Sequence, residues 1–349
     1  MRKVLFNLHL YGALIAGIFV AILGTTGGII AFEPELDHLT HPHLFRVTPQ
    51  GQPLSVAAML QAASAAYRGQ KIAYLRLPQD AEESAQFNVK GPRQVFMNPY
   101  TGAILGERDP VTALSYVHQF HQRLMLKNGA PITTTATAVL VFLVLSGVYL
   151  WWDLKRVTVK WNASARRIHF DLHNATGIYF ALFLLVLGIT GITVFYDGTV
   201  EQFLHRTAGT TKISRDTPSL LQAGAKPISP DQAVQVALAE IPGTRALMVM
   251  LPAGSKASYL VPLHFPEDLT PGGRSWVNVD QSSSKVLSAQ DSRTAPMATR
   301  AIIWNRRIHT GDLFGLPTKF LMSLSSLMLV LQVVTGYYMW WKKLRAGAE

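Results

Sequence analysis

The sequence NLHLYGALIAGIFVAILGTTGGIIAF, residues 7–32, contains no Lys, Arg, Asp or Glu. It is long enough to cross the hydrocarbon core of a bilayer, which takes about 20 apolar residues. Three further runs of this kind follow, over residues 132–152, 175–196 and 320–341. Charged residues make up only 15% of the 349-residue chain, against about 25% in soluble proteins. The sequence therefore predicts an α-helical membrane protein with four spans.

The first of these runs also has some features of a signal peptide. Arg2 and Lys3 form a short positive start. The apolar run is longer than that of a signal peptide, and no small-x-small cleavage site separates it from Glu33. We therefore expect it to be a retained membrane anchor.

The distribution of Lys and Arg predicts the orientation of the spans. Basic residues cluster before the first span, in the short loop 153–173 and after the fourth span. Because cytoplasmic loops carry an excess of Lys and Arg, we expect these segments and both termini to be cytoplasmic. The net charge of +11 then reflects topology in a lipid bilayer, and no basic soluble face indicates a nucleic-acid partner. These basic residues are Arg2, Lys3, Lys155, Arg156, Lys160, Arg166, Arg167, Lys342, Lys343 and Arg345.

The two long segments between spans should be domains outside the cytoplasm. Each begins with an amphipathic helix, Ser55–Tyr67 or Ser229–Ile241, and continues with short strand-like segments, so we expect two small α+β domains. The predicted strands are Ala85–Val89, Gln94–Asn98, Leu247–Leu251, Ala257–Leu263 and Ser275–Val279. The predicted order is span 8–32, domain 33–117, interfacial segment and span 118–152, loop 153–173, span 174–196, domain 197–308, interfacial segment and span 309–341, and tail 342–349.

The chain contains two copies of one unit, each made of a span, an external domain and a second span. His9 and His173 begin the first and third spans, and glycines follow each of them 15 and 18 residues later. His121 and His309 precede the second and fourth spans, 30 and 31 residues before a Trp-Trp pair. The four-helix bundle should therefore consist of two halves that run in the same direction.

The four repeat-related histidines are the candidate ligands. The chain has no cysteine, which excludes disulfides, iron–sulfur clusters and thiolate-ligated haem. Repeat symmetry should bring His9 towards His173 near the cytoplasmic face, and His121 towards His309 near the outer face. Two facing imidazoles are a natural axial pair for haem iron. The pattern thus predicts two bis-histidine haems, one near each face of the bundle.

Other interpretations of these histidines remain open from the sequence. Interfacial histidines can simply extend their polar tips towards lipid headgroups. His118 and His169 are rivals as ligands, because they lie three and four residues before His121 and His173. Either close pair would also suit a divalent metal, although no third ligand lies at matching spacing. The remaining histidines are His38, His41 and His43, which form either a polar interfacial loop or a contact for an incoming metal complex, and His205 and His264 without a role.

The glycines of the first and third spans have two compatible interpretations. Small residues permit close helix packing, and they also leave room for a flat macrocycle. Three arginines near the outer histidines would serve either as interface anchors or as partners of haem propionates. The glycines are Gly12, Gly17, Gly24, Gly27, Gly28, Gly177, Gly188 and Gly191, and the arginines are Arg123, Arg306 and Arg307.

The ordered motifs resemble those of a known family. They are NLHLYGALIAG with LGTTGGIIAF, QFHQRLML with SGVYLWW, FDLHNATGIY with LGITGITVFY, and IHTGDLFGLP with VTGYYMWWKK. In this order and spacing the chain resembles the PepSY-associated transmembrane proteins, or iron-regulated membrane proteins, which include inner-membrane siderophore reductases such as ferrioxamine reductase. Where that family usually reads LHR, this chain has Gln122 between His121 and Arg123, which shifts the arginine by one position.

The resemblance implies PepSY-like external domains, haem b in the bundle and electron transfer to a periplasmic ferric siderophore. It matches the family's recurrent histidines to His9, His121, His173 and His309. The chain has no flavin or nicotinamide motif, so the electrons should come from a quinol or a cytoplasmic reductase. Two alternatives belong to other classes of protein: a non-enzymatic scaffold that binds a peptide or partner, and a siderophore or metal permease. The uncharged span interiors speak against the permease.

Overall fold

The computed structural model describes residues 1–89, 93–109, 111–155, 157–219, 226–268 and 273–346. Arg156, one of the predicted cytoplasmic cations, and the last three residues of the tail lie outside the described residues. The chain divides into two compact units. The helical unit comprises Met1–Glu33, Ala113–Glu201 and Trp304–Glu349, and the sheet unit comprises Pro34–Thr112 and Gln202–Ile303.

Helices make up most of the described chain. In chain order they are α1 (Arg2–Ile30), α2 (Glu33–Thr40), α3 (Pro42–Phe45), α4 (Val56–Ala66), α5 (Ala113–Arg123), α6 (Ala130–Trp151), α7 (Ala165–Phe195), α8 (Asp197–Ala208), α9 (Pro230–Glu240), α10 (Met297–Thr310) and α11 (Leu316–Ala346), with a 3-10 turn at Asp312–Phe314.

Four helices of the helical unit, α1, α6, α7 and α11, are long and apolar enough to cross a membrane. This confirms the four predicted spans. All four helices begin earlier than the apolar runs, with α1 starting at Arg2, α6 at Ala130, α7 at Ala165 and α11 at Leu316. The difference arises because an apolar run marks only the lipid-embedded length, whereas backbone hydrogen bonding continues through polar residues at the ends. In the bundle, α1 packs against α6 and α11, and α7 packs against the same two helices.

The sheet unit contains one antiparallel sheet rather than two. Its strand order is β4-β3-β2-β1-β6-β7-β8-β9, with β5 paired to β7. The strands are β1 (Tyr74–Arg76), β2 (Ala85–Val89), β3 (Arg93–Met97), β4 (Ile104–Arg108), β5 (Arg245–Ala246), β6 (Met248–Met250), β7 (Tyr259–His264), β8 (Ser275–Val279) and β9 (Val286–Gln290).

The pairing of β1 with β6 joins the two segments that the sequence assigns to separate domains. Leu75 of β1 lies opposite Val249 of β6, and both side chains are fully buried. Each strand would otherwise be an exposed edge of a four-stranded or five-stranded sheet, and pairing satisfies the backbone groups of both edges. The prediction of an α+β region is therefore confirmed, but the strands of both segments share a single sheet and one core.

Helices α4 and α9 pack into this core and are tied together at their N-termini. Ser55 caps α4, and Ser229 forms a capping box with Gln232 at the start of α9. The Asp231 carboxylate accepts hydrogen bonds from two backbone N–H groups in the first turn of α4, at 2.7 and 3.0 Å. One segment therefore caps a helix of the other, which adds to the strand pairing between them.

Candidate functional site

His121 and His309 lie face to face in the helical unit, as the sequence predicts. They come from α5 and α10, and their ring centres are 6.4 Å apart with an angle of 43° between the ring planes. Two metal–imidazole bonds of about 2.0–2.1 Å, together with the two half-rings, span roughly 6 Å. The spacing of this pair therefore fits two imidazoles that ligate one metal atom from opposite sides.

Each of these two rings is held by a threonine of a membrane helix. Nδ1 of His121 lies 3.1 Å from Oγ1 of Thr26, and Nδ1 of His309 lies 3.1 Å from Oγ1 of Thr190. Both hydroxyls donate their hydrogen to the carbonyl four residues earlier in their own helix, at 2.7 and 2.6 Å. A hydroxyl has one hydrogen, so its oxygen accepts from the imidazole N–H. This leaves Nε2 of each ring as the nitrogen with a free lone pair.

The protonation of this pair also suits ligation. Both histidines lie outside the four membrane helices. Burial, together with the neighbouring His309, lowers the pKa of His121 to about 4, and burial lowers the pKa of His309 to about 4. Both rings are therefore neutral at pH 7, and a neutral imidazole is the form that binds a metal.

His9 and His173, elsewhere in the helical unit, make the same kind of hydroxyl contact. Nδ1 of His9 lies 2.8 Å from Oγ of Ser146, and Nδ1 of His173 lies 2.9 Å from Oγ1 of Thr335. Again each hydroxyl donates to the carbonyl four residues earlier, in both cases at 2.7 Å. The two histidines line one cavity of about 1090 Å³. Its lining includes the basic residues Arg2, Lys3, Arg166, Arg167 and Lys343.

A glycine follows each of the four hydroxyl residues and lies against the histidine ring. A Cβ at Gly27 would lie 3.0 Å from Cε1 of His121, and a Cβ at Gly191 would lie 3.0 Å from Cε1 of His309. The corresponding distances are 3.4 Å from Gly147 to His9 and 3.6 Å from Gly336 to His173. The absence of a side chain at Gly27 and Gly191 thus lets the imidazole approach the helix that carries its hydrogen-bond partner. At Gly147 and Gly336 a Cβ would make only an ordinary van der Waals contact with the ring.

The two histidine levels are far apart along the helices. Gly27 lies 18 residues after His9 on α1, and Gly191 lies 18 residues after His173 on α7. At about 1.5 Å of rise per residue, each helix separates the two levels by about 27 Å. This is close to the thickness of the hydrocarbon core, about 30 Å.

Other glycines of α1 serve helix packing. A Cβ at Gly24 would lie 2.5 Å from the backbone oxygen of Ser326 in α11, and one at Gly28 would lie 3.0 Å from Leu327. Ser326 and Ser323 also donate hydrogen bonds to the carbonyls of Gly24 and Gly28, both at 2.8 Å. Of the two interpretations of the span glycines, close helix packing therefore applies to these two positions.

Replacing Gly24 with alanine should destabilise the helical unit by about 1–3 kcal/mol, because the new methyl group has no room beside a backbone oxygen. Gly12 offers a matched control on the same helix, since a Cβ there would meet only side chains at 3.7 and 3.8 Å. Thermal unfolding of the detergent-purified variants measures the difference. Equal midpoints for G24A and G12A would contradict the packing role of Gly24.

The rival histidines have other contacts. His118 lies 3.1 Å from the Glu33 carboxylate through Nδ1 and 2.9 Å from the Gln122 amide through Nε2. Nδ1 of His169 lies 2.8 Å from the Ala165 carbonyl oxygen, and its ring stacks on Tyr338 at 3.9 Å. Both therefore have polar partners or ring contacts distinct from those of the four paired histidines.

The other predicted polar residues are dispersed. In the loop cluster, His38 stacks on Phe45, and Nδ1 of His41 lies 2.9 Å from Oγ1 of Thr40. Arg306 forms an ion pair with Asp197 at 3.2 Å. Arg307 is buried beside Trp304, Arg123 is exposed, and His205 contacts Thr210 and Thr299. Within the described ranges, no group of three or more His, Cys, Asp or Glu residues is arranged to hold a metal ion.

Sequence reasoning identified the four histidines but gave no role to the four hydroxyl residues beside them. The signal was present in the sequence, because each histidine has a Ser-Gly or Thr-Gly dipeptide at a repeat-related place. These dipeptides are Thr26-Gly27, Ser146-Gly147, Thr190-Gly191 and Thr335-Gly336.

Comparison with known proteins gives one match. A family model described as the PepSY-associated TM region matches residues 6–343. Comparison with curated proteins finds no match.

Proposed function

The chain belongs to the family of the PepSY-associated TM region, and from this premise we propose that it is a haem b-containing reductase of the bacterial inner membrane. It would pass electrons across the membrane to a ferric siderophore in the periplasm, in the manner of siderophore reductases such as ferrioxamine reductase. Its product would be ferrous iron, released for uptake.

The His121–His309 pair carries this proposal. Its ring spacing of 6.4 Å leaves room for one metal atom between the two imidazoles. Two protein ligands alone are too few for the usual structural or catalytic metal sites, which have three or four. Haem needs no more than two, because the macrocycle supplies the other donors, and its iron undergoes one-electron redox changes. The donor set thus fits haem better than a free divalent ion.

The His9–His173 pair would hold a second haem at the other level of the bundle. Its hydroxyl contacts and neighbouring glycines match those of the first pair. The cavity beside it is large and mainly apolar, with basic residues in its lining that would offset the negative charge of carboxylate substituents. Two levels about 27 Å apart would bring redox-active groups near both membrane faces.

The topology of the proposal follows from repeats and charge. Both halves of the duplicated unit would run in the same direction, with both termini cytoplasmic and the sheet unit periplasmic. The sheet order, in which four consecutive strands of each segment extend outwards from the central β1–β6 pair, is consistent with duplication. The periplasmic sheet unit would then be the PepSY-like part of the chain.

The proposed reaction consumes one electron for each ferric ion. The iron of the siderophore complex is reduced from ferric to ferrous, and ferrous iron is a weaker partner for hard oxygen ligands. A quinol or a cytoplasmic reductase would supply the electron. In the chain itself, the four histidines would hold the haem groups, which would supply the one-electron chemistry, and the surrounding apolar helices would exclude water from them.

An absorbance spectrum of the detergent-purified protein, before and after dithionite, tests this proposal. The protein should be produced with ample haem supply, and haem per chain counted after pyridine extraction. We expect a Soret band that shifts on reduction, sharp α and β bands, and about two haems per chain. Dithionite-free reduction of a ferric siderophore by the quinol-loaded protein would then test the enzymatic step.

Three other outcomes would contradict the proposal in different ways. About one haem per chain would mean that only one of the two histidine pairs binds haem. A protein without haem would favour the scaffold, with the histidines as interface residues. Siderophore transport without reduction in sealed vesicles would favour the permease.

A further inference from the structure

We propose that the hydroxyl groups of Thr26, Ser146, Thr190 and Thr335 are positioning groups that hold the four histidines in the Nδ1–H tautomer and aim Nε2 at the metal. This inference rests on the proposed function. It assigns a role to residues that touch the ligands and not the metal. A group that hydrogen-bonds to a metal ligand orients that ligand and raises its basicity, and it therefore also affects the redox potential of the bound metal.

The direction of the hydrogen bonds carries the inference. At all four sites the hydroxyl lies 2.6–2.7 Å from the carbonyl oxygen four residues earlier, which can only accept. The hydroxyl hydrogen is therefore used, and the oxygen accepts from Nδ1. Nδ1 of His121 is also 3.2 Å from the carbonyl oxygen of Leu23, which again requires a hydrogen on that nitrogen. In a neutral imidazole the other nitrogen, Nε2, then carries the free lone pair.

At His121 and His309, the glycine after the hydroxyl residue gives the imidazole ring room to reach the hydroxyl. Alanine at Gly27 or Gly191 would place a methyl carbon 3.0 Å from the histidine ring, closer than ordinary van der Waals contact. The ring therefore reaches the hydroxyl because the next residue has no side chain. The hydroxyl contact recurs at all four histidines, and the close glycine contact at two of them, which a general role in helix packing would not require.

Each hydroxyl should stabilise the oxidised metal. An imidazole that donates through Nδ1–H is a stronger electron donor through Nε2. Loss of the acceptor should weaken the ferric complex more than the ferrous complex and so raise the midpoint potential. A tenfold loss of preference for the ferric state corresponds to about 59 mV for a one-electron couple. Outer partners of this kind typically change metal affinity 10-fold to 100-fold.

Valine substitutions at Thr190 and Thr26 test this role, because they keep the side-chain shape and remove the hydroxyl. Each has a matched control in the same helix. Thr193 and Thr25 donate to the carbonyl four residues earlier in their own helix. Thr25 is exposed and Thr193 is half-buried, and among the described residues neither bonds to a histidine. The conservative variant T190S keeps the hydroxyl. The measurements are the ¹⁵N spectrum of labelled histidine, which distinguishes the tautomers, and the midpoint potential of each haem.

We expect wild type, T193V and T25V to show the four paired histidines in the Nδ1–H form. In T190V and T26V, the potential of the haem held by His121 and His309 should rise by about 59 mV or more, with rescue in T190S. Unchanged potentials in both valine variants would overturn the inference. A wild-type protein without haem would overturn the proposed function instead. The ¹⁵N spectra of T190V and T26V would then still decide whether the hydroxyls hold the tautomer.

Discussion

Alanine at His309 should remove about half of the bound haem and abolish reduction of the ferric siderophore. The same result is expected for alanine at His121, because His121 and His309 would hold one haem together and either substitution would remove that site. The two ring centres are 6.4 Å apart, so neither ring alone would supply both protein ligands to a metal atom between them. Haem counted by pyridine extraction and siderophore reduction by the purified protein measure both losses.

His118→Ala is the matched control for this pair of variants. His118 lies one turn before His121 on α5, and its two nitrogens contact Glu33 and Gln122. We expect H118A to keep its full haem content and its activity. Loss of haem in H118A with retention in H121A would transfer the ligand role to His118. Full reductase activity in both H121A and H309A would exclude this pair from electron transfer.

The spans and most strands could be predicted from the sequence because each has a local signal. Apolar length alone identified α1, α6, α7 and α11. Alternation of apolar residues between turns placed β2 and β8 at the observed limits, Ala85–Val89 and Ser275–Val279. The three-residue strand β1 has too few residues for a periodic pattern, so the sequence gives no sign of it.

The joining of the two segments into one sheet could not be predicted from the same signals. It depends on the pairing of β1 with β6, two three-residue strands separated by about half of the chain. The local β-strand propensity of a segment does not specify which other strand it will pair with. The Asp231 cap on α4 is equally non-local, since it joins a first-turn residue of one helix to the N–H groups of another. Two domains were therefore the natural expectation from a duplicated pattern.

The histidines of the candidate site could be predicted from the sequence, but their hydrogen-bond partners could not. Histidine is rare and its repeat-related spacing is conspicuous, so four ligand candidates emerged from the sequence. Serine and threonine are common in membrane helices, where they usually bond only to their own backbone. Only the positions of His121 and His309 relative to α1 and α7 reveal that Thr26 and Thr190 have a second partner. The pairing of ligand and hydroxyl is a property of the folded bundle.

His173→Ala should also remove about half of the haem, but the half that the His121–His309 pair does not hold. His173 is hydrogen-bonded to Thr335 and lines the same cavity as His9. Its loss should therefore remove the haem proposed for the His9–His173 pair and leave the His121–His309 site unchanged. In proteoliposomes with the electron donor supplied on the side of the His9–His173 level, reduction of siderophore on the opposite side should fall to the rate of empty liposomes. The retained haem should keep its wild-type potential.

His169→Ala is the control, because His169 lies one turn earlier on α7 and stacks on Tyr338. It should keep both haems and full activity. A strong loss of haem in H169A and none in H173A would move the ligand to His169. If H173A loses haem and still reduces siderophore across the membrane at the wild-type rate, the His9–His173 level is not on the path of the electron. The two-level arrangement would then serve stability, and only the His121–His309 pair would remain in the proposed function.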